Sequence, residues 1–184
     1  VRMDDVLAED APEIHKRTRN IVKEHAYMAG GDWEQAKEES DHLIEGCYET
    51  QVMQHCHLEN HSAYAYMDDL EHIVIVSSTQ IPHIVRRIVG EALELPLSQI
   101  RVIKPYVGGG FGNKQDVILE PMVAFLTLKL GGVPVKLRLD REEGMIGTRV
   151  RHPFRVKLEL GVQKDGTVKL INFDALSNTG AYAS

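Results

Sequence analysis

Cysteine is nearly missing from this chain of 184 residues, which carries only Cys47 and Cys56. Two thiols exclude a disulfide scaffold and are too few for a four-thiolate iron–sulfur cluster held within the chain. Positive charge is also in deficit, with 21 Lys and Arg against 27 Asp and Glu, a net charge of -6 and a pI near 5.8. Proteins that grip a phosphate backbone usually present a basic face, so no nucleic-acid partner is expected. Long apolar runs are lacking too. The longest, around 122–130, is interrupted by Thr127 and Lys129 and falls short of a membrane span. No secretory leader precedes Asp4 and Val1 is not an initiator, while "NFDALSNTGAYAS" stops without a polar tail or helix cap. The chain is therefore read as a fragment of a larger cytoplasmic protein with no membrane partner.

Hydrophobic residues make up 43% of the chain, enough for one ordinary core or two small ones. Residues 1–30 mix charges with histidine and proline interruptions and hold no period, which assigns them as an extended, partly mobile lead-in segment. Residues 31–184 are read as one partial domain. Within it "GDWEQAKEE" offers Asp32 as a cap with Gln35 three residues on, ahead of a short polar helix. Rough alternation over 43–52 and 62–67 predicts half-buried strands, and "HIVIVS" a well-buried one. "IPHIVRRIVGEAL" is apolar at helical spacing, with Pro82 tolerable only in a first turn, so a helix begins directly after Gln80. "IRVIKPYV" is the next strand, followed after a glycine-rich stretch by a helix over 117–130, bent or restarted at Pro121. "VPVKLRL" alternates, "DREEG" starts a short helix, and "FRVKLELGV" and "TVKLINFDA" flank the hairpin signal "QKDGT". The expected fold class is α+β, with mixed strands and helices and antiparallel hairpins.

Four stretches carry candidate chemistry. "YVGGGFGNKQD", at 106–116, sets four glycines around Phe111. It lacks the Gly-Lys-Ser/Thr of a phosphate-cradling loop, because Asn113 separates Gly112 from Lys114, and the glycine spacing of a dinucleotide fingerprint fails at the same residue. That leaves either a loop built for close approach of a ligand to the backbone or a tight turn. Gln80 sits where a strand ends and a helix begins, a position that lines ligand clefts or bonds the helix start. "HCHLENH" offers His55, Cys56, His57, Glu59 and His61 as metal-ligand types, but four ligands along one straight strand cannot wrap around a metal, and packed residues are the plainer reading. Arg149, Arg151 and His152 in "TRVRHP" could meet an anion or form a solvated basic turn.

In order along the chain, "DAPEIH", "GDWEQA", "EGCYETQ", "HLENH", "SSTQIP", "RVIKPYVGGGFGNK", "LDREEGM", "RHPF", "DGTV" and "SNTGAYAS" resemble the molybdopterin-binding subunit of the xanthine dehydrogenase and aldehyde oxidase family, the molybdenum hydroxylases of bacterial multi-subunit type. The resemblance implies that the glycine loop holds a molybdenum–molybdopterin cofactor, with backbone N–H groups near Gly110, Phe111 and Gly112 facing the metal's oxygens. It implies that the Gln80 side-chain amide bonds an oxo group and that Phe111 walls the substrate channel. Gln80 and Phe111 then stand beside the metal without coordinating it. Family chemistry is hydroxylation of an aldehyde or an electron-poor heterocycle with oxygen from water. The electrons leave through [2Fe-2S] clusters to FAD on an iron–sulfur subunit and a FAD-binding subunit. The family's catalytic glutamate lies beyond residue 184, so no catalytic residue is expected here and the isolated chain is expected to be inactive. The family usually has Glu-Pro-His where this chain reads "ENH". Asn113 replaces a glycine of the animal purine hydroxylases, and Gln115 stands where they place a glutamate, which makes Gln115 a candidate substrate-binding residue. A metal-free interaction or scaffold module that keeps the fold is the alternative of a different class.

Overall fold

A computed structural model of the chain describes residues 3–14 and 18–180. His15 and residues 181–184, which belong to two of the resembling stretches, lie outside the described residues. In chain order the elements are α1 (Met3–Leu7), α2 (Trp33–Glu38), β1 (His42–Glu49), β2 (Met53–Gln54), β3 (Ser62–Met67), β4 (Ile73–Ser77), α3 (Pro82–Leu93), β5 (Ile100–Ile103), α4 (Glu120–Lys129), β6 (Val135–Arg138), α5 (Arg141–Gly147), β7 (Val150–Arg151), β8 (Phe154–Val162) and β9 (Val168–Ser177). They form two compact units, one of Val1–Met53 with His152–Ser184 and the other of Gln54–Arg151. The mixed helices and antiparallel strands are those of the expected α+β class.

The first unit is built on a three-stranded antiparallel sheet ordered β1-β8-β9. The "QKDGT" turn closes the β8–β9 hairpin, with Gln163 N–H donating to Thr167 O at 2.9 Å. Asp32 caps α2 as its spacing predicts, accepting the Gln35 N–H at 3.0 Å. The lead-in is not extended throughout, because residues 3–7 form α1. Arg155 explains part of this: its guanidinium bridges Asp4 of α1 and Glu49 of β1, a tertiary contact that no local period reveals.

The second unit holds a four-stranded mixed sheet ordered β5-β4-β3-β6, in which only β4 and β5 run parallel. A parallel neighbour needs a crossover, and α3 supplies it. Ala63 and Ala65 of β3 and Ile73 and Ile75 of β4 alternate onto the face covered by α3 and α4, where they meet Val85, Val89, Val123 and Ala124. Pro82 occupies the first turn of α3, as its missing N–H requires. Helix α4 starts only at Glu120, so residues 117–119 are not helical. The buried Glu120 carboxylate accepts the N–H groups of Ile118 and Leu119 and the Ser77 hydroxyl, and these bonds hold the chain in a non-helical entry. Asp140 and Glu143 exchange side-chain-to-backbone bonds in a capping box that starts α5. Among the described residues, no helix is long and apolar enough to cross a membrane.

Candidate functional site

Every residue of the glycine loop, Gln80 and the "HCHLENH" stretch belongs to the second unit. The loop leaves β5 and closes in a short 3-10 turn at Asn113–Gln115. Phe111 and Gly112 both adopt left-handed backbone angles, φ 51° and 90°. Gly112 needs to be glycine for that reason. Phe111 bears a side chain in the same region, a conformation that costs on the order of 1 kcal/mol and concentrates at ligand clamps. Its ring is 72% exposed, so the fold does not use it as core.

Gln80 is not the residue that bonds the helix start. Thr79 does this, its hydroxyl oxygen accepting the N–H of Ile81 at 3.0 Å. Gln80 instead turns to the loop, where its Oε1 accepts the Gly112 N–H at 3.1 Å. That bond fixes which end of the amide is oxygen, and the Nε2 donors have no protein partner among the described residues. The close approach depends on Gly110, because a Cβ there would lie 2.5 Å from Gln80 Oε1. Gly110 is buried, yet neither its N–H nor that of Phe111 finds a protein acceptor among the described residues. Phe111 is itself exposed, so water can serve its N–H, whereas an unpaired N–H on the buried Gly110 is the rarer case and asks for a ligand or water. The Gly112 N–H, expected to face the same way, is already used by Gln80. Gln115 is exposed, and its backbone N–H closes the turn on Gly112 O at 3.3 Å.

Sequence reasoning missed the layer beneath. Lys114 is 1% exposed and donates to Glu59 Oε2 at 2.5 Å. Burial alone would raise the Glu59 carboxyl, but hydrogen bonds from Lys114 and Gly108 and the lysine's charge outweigh it and hold the group below the ordinary carboxylate value. Asn113, also 1% exposed, points its Nδ2 at Gln54 Oε1 (3.0 Å), Thr148 Oγ1 (3.0 Å) and His57 Nε2 (3.3 Å). His57 donates from Nδ1 to Glu59 O at 2.5 Å, and His61 from Nε2 to Asn113 O at 3.4 Å, with the two rings edge to face at 5.1 Å. Burial, reinforced by the charge of Lys114, pushes both imidazoles below their ordinary value of 6.5 and so favours their neutral forms. The stretch is not a strand, and no group of three or more His, Cys, Asp or Glu able to hold a metal occurs among the described residues. Within "HCHLENH" His57 and His61 are buried and Glu59 is bonded to Lys114, whereas Cys56 and Leu58 are exposed. Arg149 pairs with Asp116 at 2.5 Å rather than standing open to an anion.

The donor set decides what group fits. Two backbone N–H groups and one amide present hydrogen-bond donors without thiolate, imidazole or net charge, a cradle for the oxygens of a group that brings its own metal ligands. No thiolate or imidazole stands among these donors to coordinate a metal directly. The molybdopterin cofactor-binding domain model matches residues 14–184, and the chain belongs to that family. It is 56% identical over 178 residues, 97% of its length, to the putative xanthine dehydrogenase molybdenum-binding subunit of Escherichia coli (strain K12), of which it covers 23%. It is 34% identical over 182 residues to the nicotinate dehydrogenase large molybdopterin subunit of Eubacterium barkeri, covering 99% of this chain and 42% of that one. Among solved structures it matches the aldehyde oxidoreductase of Desulfovibrio gigas with a TM-score of 0.76 at 28% identity, over 94% of this chain and 19% of the other. The chain thus spans about a quarter of the first of these relatives and less than half of the second.

Proposed function

We infer that this chain is the part of a molybdenum hydroxylase subunit that holds the oxygen side of a molybdenum–molybdopterin cofactor, in an enzyme that oxidises a purine, another N-heterocycle or an aldehyde with oxygen from water. The observation that carries the reading is the set of unpaired donors around Gly110: its own N–H, that of Phe111, and Gln80 Nε2. When bound, the cofactor would supply the two-electron oxidation. Gln80 would donate one amide hydrogen bond to its oxygens and the two backbone N–H groups the others. The exposed Phe111 ring would wall the substrate side and exclude water, and Gln115, three residues past Gly112, would meet the substrate. No residue of the cradle is placed as a general base, and that role falls to a residue outside this chain.

The names of the relatives favour a nitrogen heterocycle, since two of them act on xanthine and on nicotinate by name. Two cysteines are too few for a [2Fe-2S] cluster within this stretch, so the clusters, and the FAD they pass electrons to, are assigned to partner subunits or domains, and the two relatives are themselves named as subunits. The test is molybdenum and pterin analysis of the purified full-length subunit with its partners. Near-stoichiometric metal is expected. A folded, assembled protein that never carries molybdenum would leave the scaffold reading instead.

A further inference from the structure

Lys114 is the largest of the side chains buried almost completely, and it sits in the glycine loop rather than in the hydrophobic core. A buried ammonium is costly unless paired, and the partner here does more than pair. Oε2 of Glu59 accepts Lys114 Nζ at 2.5 Å and also the N–H of Gly108 at 2.9 Å, while the Glu59 N–H donates to Gly108 O at 3.1 Å. One residue therefore grips the loop where it begins and where it ends. The Lys114 carbonyl then passes the hold onward, accepting the Gln80 N–H at 2.9 Å and the Thr79 hydroxyl at 3.4 Å. Gln80 in turn reaches back to Gly112. The circuit closes on the residues that present the unpaired donors.

We propose that Glu59 and Lys114 are positioning residues whose ion pair fixes the span of the loop from Gly108 to Lys114, so that the N–H groups of Gly110 and Phe111 and the Gln80 amide converge on one ligand. The identity of that ligand rests on the function inferred above, whereas the clamp itself can be tested without it. The ion pair bonds the loop at Gly108, the Lys114 carbonyl bonds the Gln80 N–H, and neither side chain belongs to the hydrophobic cluster under α3 and α4. Its loss should free the loop while leaving β3 and β4 as they are.

The experiment uses the full-length subunit. Lys114→Met alone strands the Glu59 carboxylate and risks misfolding for that reason, so the informative protein is Glu59→Gln/Lys114→Met, which removes both charges at nearly constant volume. In the cofactor-free subunit, amide exchange over 107–116 should accelerate about tenfold or more, with Ala63–Met67 and Ile73–Ser77 unchanged. In the assembled, loaded enzyme kcat should fall about tenfold or more with KM changed less than twofold, because positioning acts on the reacting geometry rather than on substrate capture. Unchanged loop exchange, an equal rise in the two strands, or a raised KM at intact kcat would each overturn the clamp. A wild-type enzyme without molybdenum would defeat the inferred function and leave the exchange result standing on its own.

Discussion

Replacing Gly110 by alanine puts one methyl group where the Gln80 amide now lies. Its Cβ would stand 2.5 Å from Oε1, 2.7 Å from Cδ and 3.1 Å from Cγ, so the amide has to leave. Gly110 is not among the residues with positive φ, so alanine costs no backbone strain there. By restricting the unfolded chain it gains about 0.4–1 kcal/mol. Against that stands the loss of the hydrogen bond from Gly112 N–H to Gln80 Oε1, about 1 kcal/mol. The two terms nearly cancel in global stability, but locally only the loss counts. The Gly112 amide in the full-length subunit should exchange about fivefold faster, the factor that about 1 kcal/mol represents. Turnover of the loaded enzyme should drop about tenfold to a hundredfold with most molybdenum retained, the usual scale for one group supporting a metal site from outside its ligands. The decisive comparison is the double-mutant cycle with Gln80→Ala. With no amide left to displace, Gly110→Ala should change neither Gly112 exchange nor turnover further. Independent losses at the two positions would refute the argument, because Gly110 would then act on the ligand or the backbone without involving Gln80.

Gly108→Ala should destabilise the second unit by about 1–3 kcal/mol, since its Cβ would lie 2.7 Å from Glu59 Cβ, an atom fixed to the backbone; a shift in the denaturation midpoint of the full-length subunit measures it. Stability should also depend on pH in two windows. The neutral forms of His57 and His61 are favoured in the fold, chiefly by burial, so their contribution is complete above 6.5 and declines as pH falls below it, where the unfolded chain takes up protons first. The Glu59 contribution is present above the ordinary carboxylate value of 4.5 and is lost as pH falls beneath it. A urea midpoint that stays level between pH 7 and 5 would remove the histidines from this account. Gln115→Glu should change the ratios of kcat/KM among hypoxanthine, xanthine and an aromatic aldehyde, because an amide presents an acceptor and two donors where a carboxylate mainly accepts; equal changes for all three would place Gln115 in loop support only.

Local chemistry was legible in the sequence wherever a short-range rule decides it. The Asp32 cap, Pro82 in the first turn of α3, the "QKDGT" hairpin and the strand-to-helix position of Gln80 all follow from residues within a few places of one another. The misses are long-range. Arg155 reaches Asp4 across 151 positions, Lys114 reaches Glu59 across 55, and Asn113 reaches Gln54 across 59. No period or spacing encodes such pairs, and a lysine in a glycine loop reads from sequence as solvated because most lysines are. The delayed start of α4 has the same origin, since Glu120 bonds the N–H groups ahead of it while its other oxygen answers Ser77 on β4.

Asn113 shows how a departure from a family pattern can be reconciled with the site. It is not a positive-φ residue, so nothing in its backbone asks for the glycine found in animal purine hydroxylases. The added amide nitrogen takes up Gln54, Thr148 and His57 as partners, while the backbone carbonyl of Asn113, which a glycine would also offer, accepts from His61. The Asn113 side chain is 1% exposed and turned into the unit, and it bonds neither the Gly110 nor the Phe111 N–H. The substitution therefore changes how the loop is tethered while leaving the Gly110 and Phe111 donors free. Gln115 stands at the other departure, and it is exposed with its side chain uncommitted among the described residues. Of the two differences from the purine-hydroxylase pattern, Asn113 is buried within the second unit and Gln115 is exposed, so the Gln115→Glu comparison above is the one that tests the proposed substrate role.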